Sequence, residues 1–233
     1  MIVIALAMAV LAGIMFMLGT KRTHYLWGVF SVATAIWAAG FYLVTLSETP
    51  TEAIFWWKVS FVGIIFVPFT FFHFVIEFIN VAWLNRIKPI LLIVLYLICA
   101  TFLVLNVGTN LMVNDVTFLF NELYYNVPPG VLHPYFTGLY GILVLFAFYL
   151  IGKEYIQRPF DIEFRRQAIY FILGTVIGIS GASMDFFLVY GIEIHPIRNL
   201  LVVVGSFIVA FAILRHRLFN VRIVTAQFLT FLI

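Results

Sequence analysis

Charge is what this chain has least of. Only 10% of its 233 residues are Asp, Glu, Lys or Arg, against roughly 25% in soluble domains. That excludes a water-soluble globule of this size, which would need a polar surface the chain cannot supply. Cysteine is almost missing as well: Cys99 stands alone in an apolar run, so no internal disulfide can form and the redox compartment is not readable. The five histidines never occur as His-x-x-x-His, which excludes a membrane-embedded zinc hydrolase needing several ligands at fixed depths. The last apolar stretch contains no lysine, which excludes a retinal Schiff base. The net charge of +3 comes from basic residues scattered in pairs, so a nucleic-acid partner is not expected. Nothing in the sequence calls for a cofactor or a bound metal.

What is present is hydrophobic. Apolar residues make up 64% of the chain, with 27 phenylalanines among them. A spanning helix needs ~20 mostly apolar residues to cross a hydrocarbon core of ~30 Å. Seven stretches approach that length, at 1–18, 25–47, 50–79, 89–107, 134–152, 167–190 and 196–214. The fold class expected is an all-α integral membrane bundle of seven helices. The first stretch lacks a basic leader and a small-residue cleavage site, so it reads as a spanning helix and not as a signal peptide. Thr49-Pro50-Thr51-Glu52 forms a capping box, with threonine at the N-cap and proline at the first helical position. Pro89, Pro134 and Pro196 are expected to open their helices in the same way.

The loops set an orientation. Lys21 and Arg22, then Arg86 and Lys88, then Lys153, Arg158, Arg165 and Arg166, and finally Arg215, Arg217 and Arg222 follow the odd-numbered spans. The alternate loops hold Glu48, Glu52, Asp115, Glu122 and Glu193, with Arg198 nearby. Positive charge marks the cytoplasmic face, so the N-terminus is expected outside and the C-terminus inside. The long loop 108–133 then lies outside. Its two β-rich runs, Val116-Thr-Phe-Leu-Phe120 and Leu123-Tyr-Tyr-Asn-Val127, flank Asn121-Glu122 and read as a β-hairpin lid.

Ionisable groups within spans are costly and therefore informative. Lys58 and Asp185 are matched in depth, each ~8 Å below the outer surface at 1.5 Å per residue. His195 and Arg198 enter at the same level. Together the four predict a polar ligand pocket in the outer leaflet; the simpler reading of the same residues is an ion pair, Lys58–Asp185 or Asp185–Arg198, that only fixes helix packing. His73 and Glu77 lie four apart on one face of the third span and form a possible polar pair. Gly174, Gly178, Gly181 and Ala182 give the sixth span a small-residue face for close helix approach. Pro68 is expected to kink the third span.

Three groups of residues then resemble a known family. They are Phe61-Val-Gly-Ile-Ile-Phe-Val-Pro68 running into Phe69-Thr-Phe-Phe-His-Phe74, Pro129-Gly-Val-Leu-His-Pro-Tyr-Phe136, and Ala212-Ile-Leu-Arg-His-Arg-Leu-Phe-Asn-Val221. In order, spacing and topology they resemble the N-terminal seven-transmembrane sensor region of bacterial histidine kinases. The resemblance covers residues 1–221 and implies a non-enzymatic sensor domain in the bacterial cytoplasmic membrane. It implies a signal taken from outside or from the membrane and passed through Arg215, Arg217, Leu218 and Phe219 to a cytoplasmic kinase domain in the same longer chain, acting as a homodimer. No phospho-accepting histidine box or ATP-binding region is present. Residues 222–233 end on an apolar run and read as the start of an eighth membrane segment or a signalling helix.

The functional expectation is therefore a receptor module of a two-component system, with a small molecule, peptide or lipid-like signal as partner. The alternative is a small transporter or channel, which would need a polar path from the outer charges to His73 and Glu77. An intramembrane enzyme using Asp185 or His73 and Glu77 ranks third.

Overall fold

The computed structural model of the chain describes residues 1–120, 122–192 and 199–218. The described residues form α1 (Ile2–Leu18), α2 (Arg22–Thr45), α3 (Pro50–Ile79), α4 (Ala82–Gly108), β1 (Thr117–Leu119), β2 (Leu123–Tyr125), α5 (His133–Gln157), α6 (Ile162–Val189) and α7 (Leu200–Leu218). Helices α2 to α6 are long and apolar enough to cross a membrane, while α1 and the apolar stretch Leu200–Leu214 of α7 are shorter. The 17 residues of α1 span ~26 Å, just under the hydrocarbon thickness.

Local chemistry sets several boundaries. Thr49 Oγ1 accepts from Glu52 N at 3.3 Å, and Glu52 Oε2 accepts from Glu48 N at 3.2 Å. The box thus closes one residue further back than its simplest form, on Glu48. Helix α3 ends at Asn80, held in the left-handed region at φ 44°, which asparagine tolerates better than most residues. Asp161 caps α6 by accepting from Phe164 N at 2.9 Å. The expected start at Pro89 is corrected: α4 begins at Ala82 and runs through this proline. Its missing N–H leaves the Asn85 carbonyl without an intrahelical donor, yet the helix continues on both sides of it. Pro68 likewise lies inside a continuous α3.

The loop between α4 and α5 holds a small two-stranded antiparallel sheet, Thr117 opposite Tyr125 and Leu119 opposite Leu123. The end of the bundle bearing this sheet is called the sheet end. The opposite end carries Lys21, Arg22, Arg158 and Arg165 and is called the basic end. Helix α3 is central, packing on α2, α4 and α5, and α7 packs on α6, α1 and α2. At the α2–α3 crossing Ser60 Oγ donates to Trp37 O at 2.9 Å. A Cβ on Gly63 would strike the backbone of Ala33 and Trp37 there. Towards the basic end Phe171 of α6 stacks on Phe71, Phe74 and Phe78 of α3, with centroids 5.3–5.8 Å apart.

Candidate functional site

Small side chains along α6 bring α7 close and leave room beside it. Gly174 and Gly178 face Gly205, where a Cβ on Gly205 would lie 2.6 Å from Gly178 N and 2.8 Å from Gly178 Cα. Next to this contact runs a slot of about 100 Å³. One wall is α6, from Gly174 through Gly178 and Ala182 to Asp185. The others come from α7 (Val202, Gly205, Ser206, Val209), α3 (Ile64, Val67, Pro68, Phe71) and α5 (Tyr140, Val144). Helix α2 adds Trp27, Phe30, Thr34 and Trp37. Pro68 has no N–H to give the Ile64 carbonyl, and both residues line the slot.

Asp185 stands at the sheet end of the slot. Asn199 Nδ2 donates to both of its carboxylate oxygens at 3.0 Å. Above it lies Tyr125 of β2, fully buried, whose hydroxyl donates to the Asp185 backbone carbonyl at 3.4 Å. Its ring meets Trp57 at 5.1 Å and Phe41 at 5.8 Å, edge to face. Trp57 Nε1 in turn donates to Tyr124 O at 3.1 Å. The sheet is thereby fastened to α2, α3 and α6 directly over Asp185. Burial pushes the Tyr125 phenol well above its ordinary range, and the neighbouring Asp185 adds to the rise.

Lys58 is placed elsewhere. Its Nζ donates to Asn110 Oδ1 at 2.9 Å, and Asn106 Nδ2 donates to its backbone carbonyl at 2.9 Å. Among the described residues no ion pair joins Lys58 to Asp185, which corrects the expected Lys58–Asp185 bridge. The reason is azimuth. Lys58 follows Trp57 by about 100° around α3; Trp57 faces the sheet, and Lys58 faces the end of α4 and the Asn110 that follows it.

His73 and Glu77 share a face but do not bond to each other. His73 Nδ1 meets Tyr96 Oη at 3.0 Å, and Glu77 Oε2 accepts from Lys88 Nζ at 2.8 Å. Both partners belong to α4, and neither His73 nor Glu77 lines the slot. Among the described residues no three His, Cys, Asp or Glu side chains gather as metal ligands do. His195 and Arg198 lie outside the described residues, as do Phe219 and the segment 222–233. Arg215, Arg217 and Leu218 fall in the last turn of α7.

Sequence reasoning missed Tyr125, Asn199, Trp27 and Thr175. Thr175 was the easiest to find, since it sits beside Gly174 on the small-residue face already noted. Tyr125 carried no signal beyond its place in a β-rich run.

Residues 1–222 match the family described as the N-terminal 7TM region of histidine kinase. The chain belongs to that family. No curated protein and no solved structure matches it. As a 7TM region it is a multi-pass membrane protein, and the match is to the region that precedes the catalytic kinase domain, not to that domain itself. The slot, its Asp185 and the sheet above them thus belong to the membrane part of a histidine kinase.

Proposed function

We propose that this 7TM region is the sensing module of a bacterial two-component histidine kinase. It lies in the cytoplasmic membrane with its sheet end outside and its basic end in the cytoplasm, as the arginines and lysines of the basic end favour. A signal entering from outside, or from the outer leaflet, binds in the slot against Asp185 beneath Tyr125. Of the four residues expected at the ligand, Asp185 carries the proposal. His195 and Arg198 lie outside the described residues, while the Lys58 ammonium is taken up by Asn110.

The observation that carries this reading is the position of the slot. It runs beside the glycine contact of α6 and α7, and Asp185 closes one end of it through Asn199, the residue that leads into α7. A ligand that competes for Asp185 therefore acts on the connection between the two helices. Any such ligand must favour one arrangement by its differential affinity. Helix α7 then carries the change through Arg215, Arg217, Leu218 and Phe219 to a kinase domain in the same longer chain, working as a homodimer. Transport is less well supported, because His73 and Glu77, the inner end of the path it would need, are committed to α4.

The test is basal autophosphorylation of the full-length kinase in proteoliposomes. Asp185→Asn keeps the shape but replaces the carboxyl group that Asn199 holds, and is expected to shift the output. A correctly folded Asp185→Asn protein with unaltered output would remove Asp185 from the mechanism.

A further inference from the structure

The slot has two ends, and the sensing proposal uses only the one at Asp185. At the other end Trp27 and Thr175 are 2% and 6% exposed and both line the slot. Neither Trp27 Nε1 nor Thr175 Oγ1 has a hydrogen-bond partner among the described residues. Buried polar groups are as a rule hydrogen-bonded, so two such groups facing one space point to an occupant. Their chemistry says which atom it offers. An indole N–H only donates, whereas a threonine hydroxyl donates and accepts; an oxygen satisfies both. Thr175 follows Phe171 by one turn of α6, and the Phe171 ring lies 6.2 Å from the Trp27 ring, so both side chains belong to the same part of the slot.

Length and volume then restrict the rest of the ligand. Thr175 and Asp185 lie on one helix, ten residues apart, or ~15 Å along its axis. Spread over that length, a volume of about 100 Å³ leaves a narrow bore. Such a bore fits a chain and not a ring system or a peptide. The walls between the ends, Val67, Val144 and Val209 among them, are apolar except for Ser206 and for Thr34, whose hydroxyl donates to the Phe30 carbonyl.

We propose that Trp27 and Thr175 form an inner hydrogen-bonding subsite for a single-chain amphiphile. Its polar head meets Asp185, and an oxygen near its far end (hydroxyl, ketone or ester carbonyl) lies between the indole and the threonine hydroxyl. The head assignment rests on the sensing proposal; the oxygen rests on the two inner side chains.

The experiment titrates the chain in lipid nanodiscs with dodecylamine and with ω-aminododecanol, subtracting empty nanodiscs. One added hydrogen bond is expected to make ω-aminododecanol bind about tenfold tighter than dodecylamine. Trp27→Phe and Thr175→Val each remove that preference and leave dodecylamine unchanged. Asp185→Asn weakens both probes in parallel. Equal affinities in the unsubstituted chain, with Asp185→Asn still weakening both, overturn the inner subsite and leave the Asp185 reading standing. A tenfold preference that survives while Asp185→Asn affects neither probe keeps the inner subsite and sinks the outer one. No binding of either probe overturns both. Should Trp27→Phe fail to fold, Thr175→Val preserves the side-chain shape and decides alone.

Discussion

The α3–α4 and α6–α7 contacts are both long antiparallel helix pairs, and they are built from opposite materials. Between α3 and α4 polar groups meet at successive depths: the Lys58 carbonyl with Asn106, His73 with Tyr96, and Glu77 with Lys88. Beyond these links α4 shows Ile90, Ile93, Leu97 and Val104 to the lipid. Between α6 and α7 the contact is glycine on glycine, at Gly174, Gly178 and Gly205, with a slot alongside. Hydrogen bonds have narrow limits of distance and angle, so sliding α3 along α4 breaks them together. Backbone packing at glycine has no such register, and a small translation of α7 keeps most of its contacts. The difference teaches that a charge inside a membrane helix need not mark the functional site. Here the ionisable groups of α3 secure a scaffold, and the place suited to respond lies where the side chains are smallest.

Breaking the α6–α7 contact has the largest expected effect. Gly205→Leu drives a side chain into the backbone of Gly174 and Gly178, and overpacking of this kind costs about 3 kcal/mol; thermal unfolding in detergent should show it. On the α3–α4 side, Glu77→Gln leaves Lys88 without its charge partner near the basic end. A loss of about 1 kcal/mol is expected there, recovered by the exchange Glu77→Lys with Lys88→Glu, and kinase output should stay unchanged throughout. Tyr96→Phe removes one interhelical hydrogen bond to His73, worth about 0.6 kcal/mol on the average for membrane helices, again without a change of output. A shift of output in either variant would erase the contrast between the two pairs.

The sheet above Asp185 gives the smallest effect, and it is confined to alkaline solution. Because burial raises the Tyr125 phenol above its ordinary value of 10.0, the folded form holds its proton where the unfolded one releases it. The stability contributed is complete below pH ~10 and declines as the pH rises beyond that. Protection of the amides of residues 123–125, taken relative to their intrinsic base-catalysed exchange at each pH, should fall above that pH in the native chain, and Tyr125→Phe should remove that fall.

Depth was legible in the sequence, and azimuth was not. A rise of 1.5 Å per residue places Asp185 and Lys58 at one level whatever their neighbours do. Which way each points depends on how a helix is rotated in the bundle, and an apolar helix facing protein on one side and lipid on the other gives little amphipathic signal to fix that. Lys58 therefore read as a partner of Asp185 and proved to be a partner of Asn110. The Thr49 cap was legible because its chemistry is local, and Pro89 misled because a proline inside a long helix, like Pro68 in α3, removes one backbone bond without ending the helix. The slot had no signature of its own. Trp27 and Thr175 lie on different helices, and only their packing makes one site of them.

The central claim is that a change at Asp185 reaches the kinase through movement of α7 against α6. It is tested by fixing that contact. A Cβ on Gly178 lies 3.9 Å from Val202 Cα, close enough for Gly178→Cys and Val202→Cys to form a disulfide, in a Cys99→Ala background. Autophosphorylation is then measured with and without Asp185→Asn, in reduced and oxidised protein. The account predicts that Asp185→Asn alters the output of the reduced kinase and has no effect once the helices are joined. If the substitution changes the output equally in both states, the signal does not pass between α6 and α7.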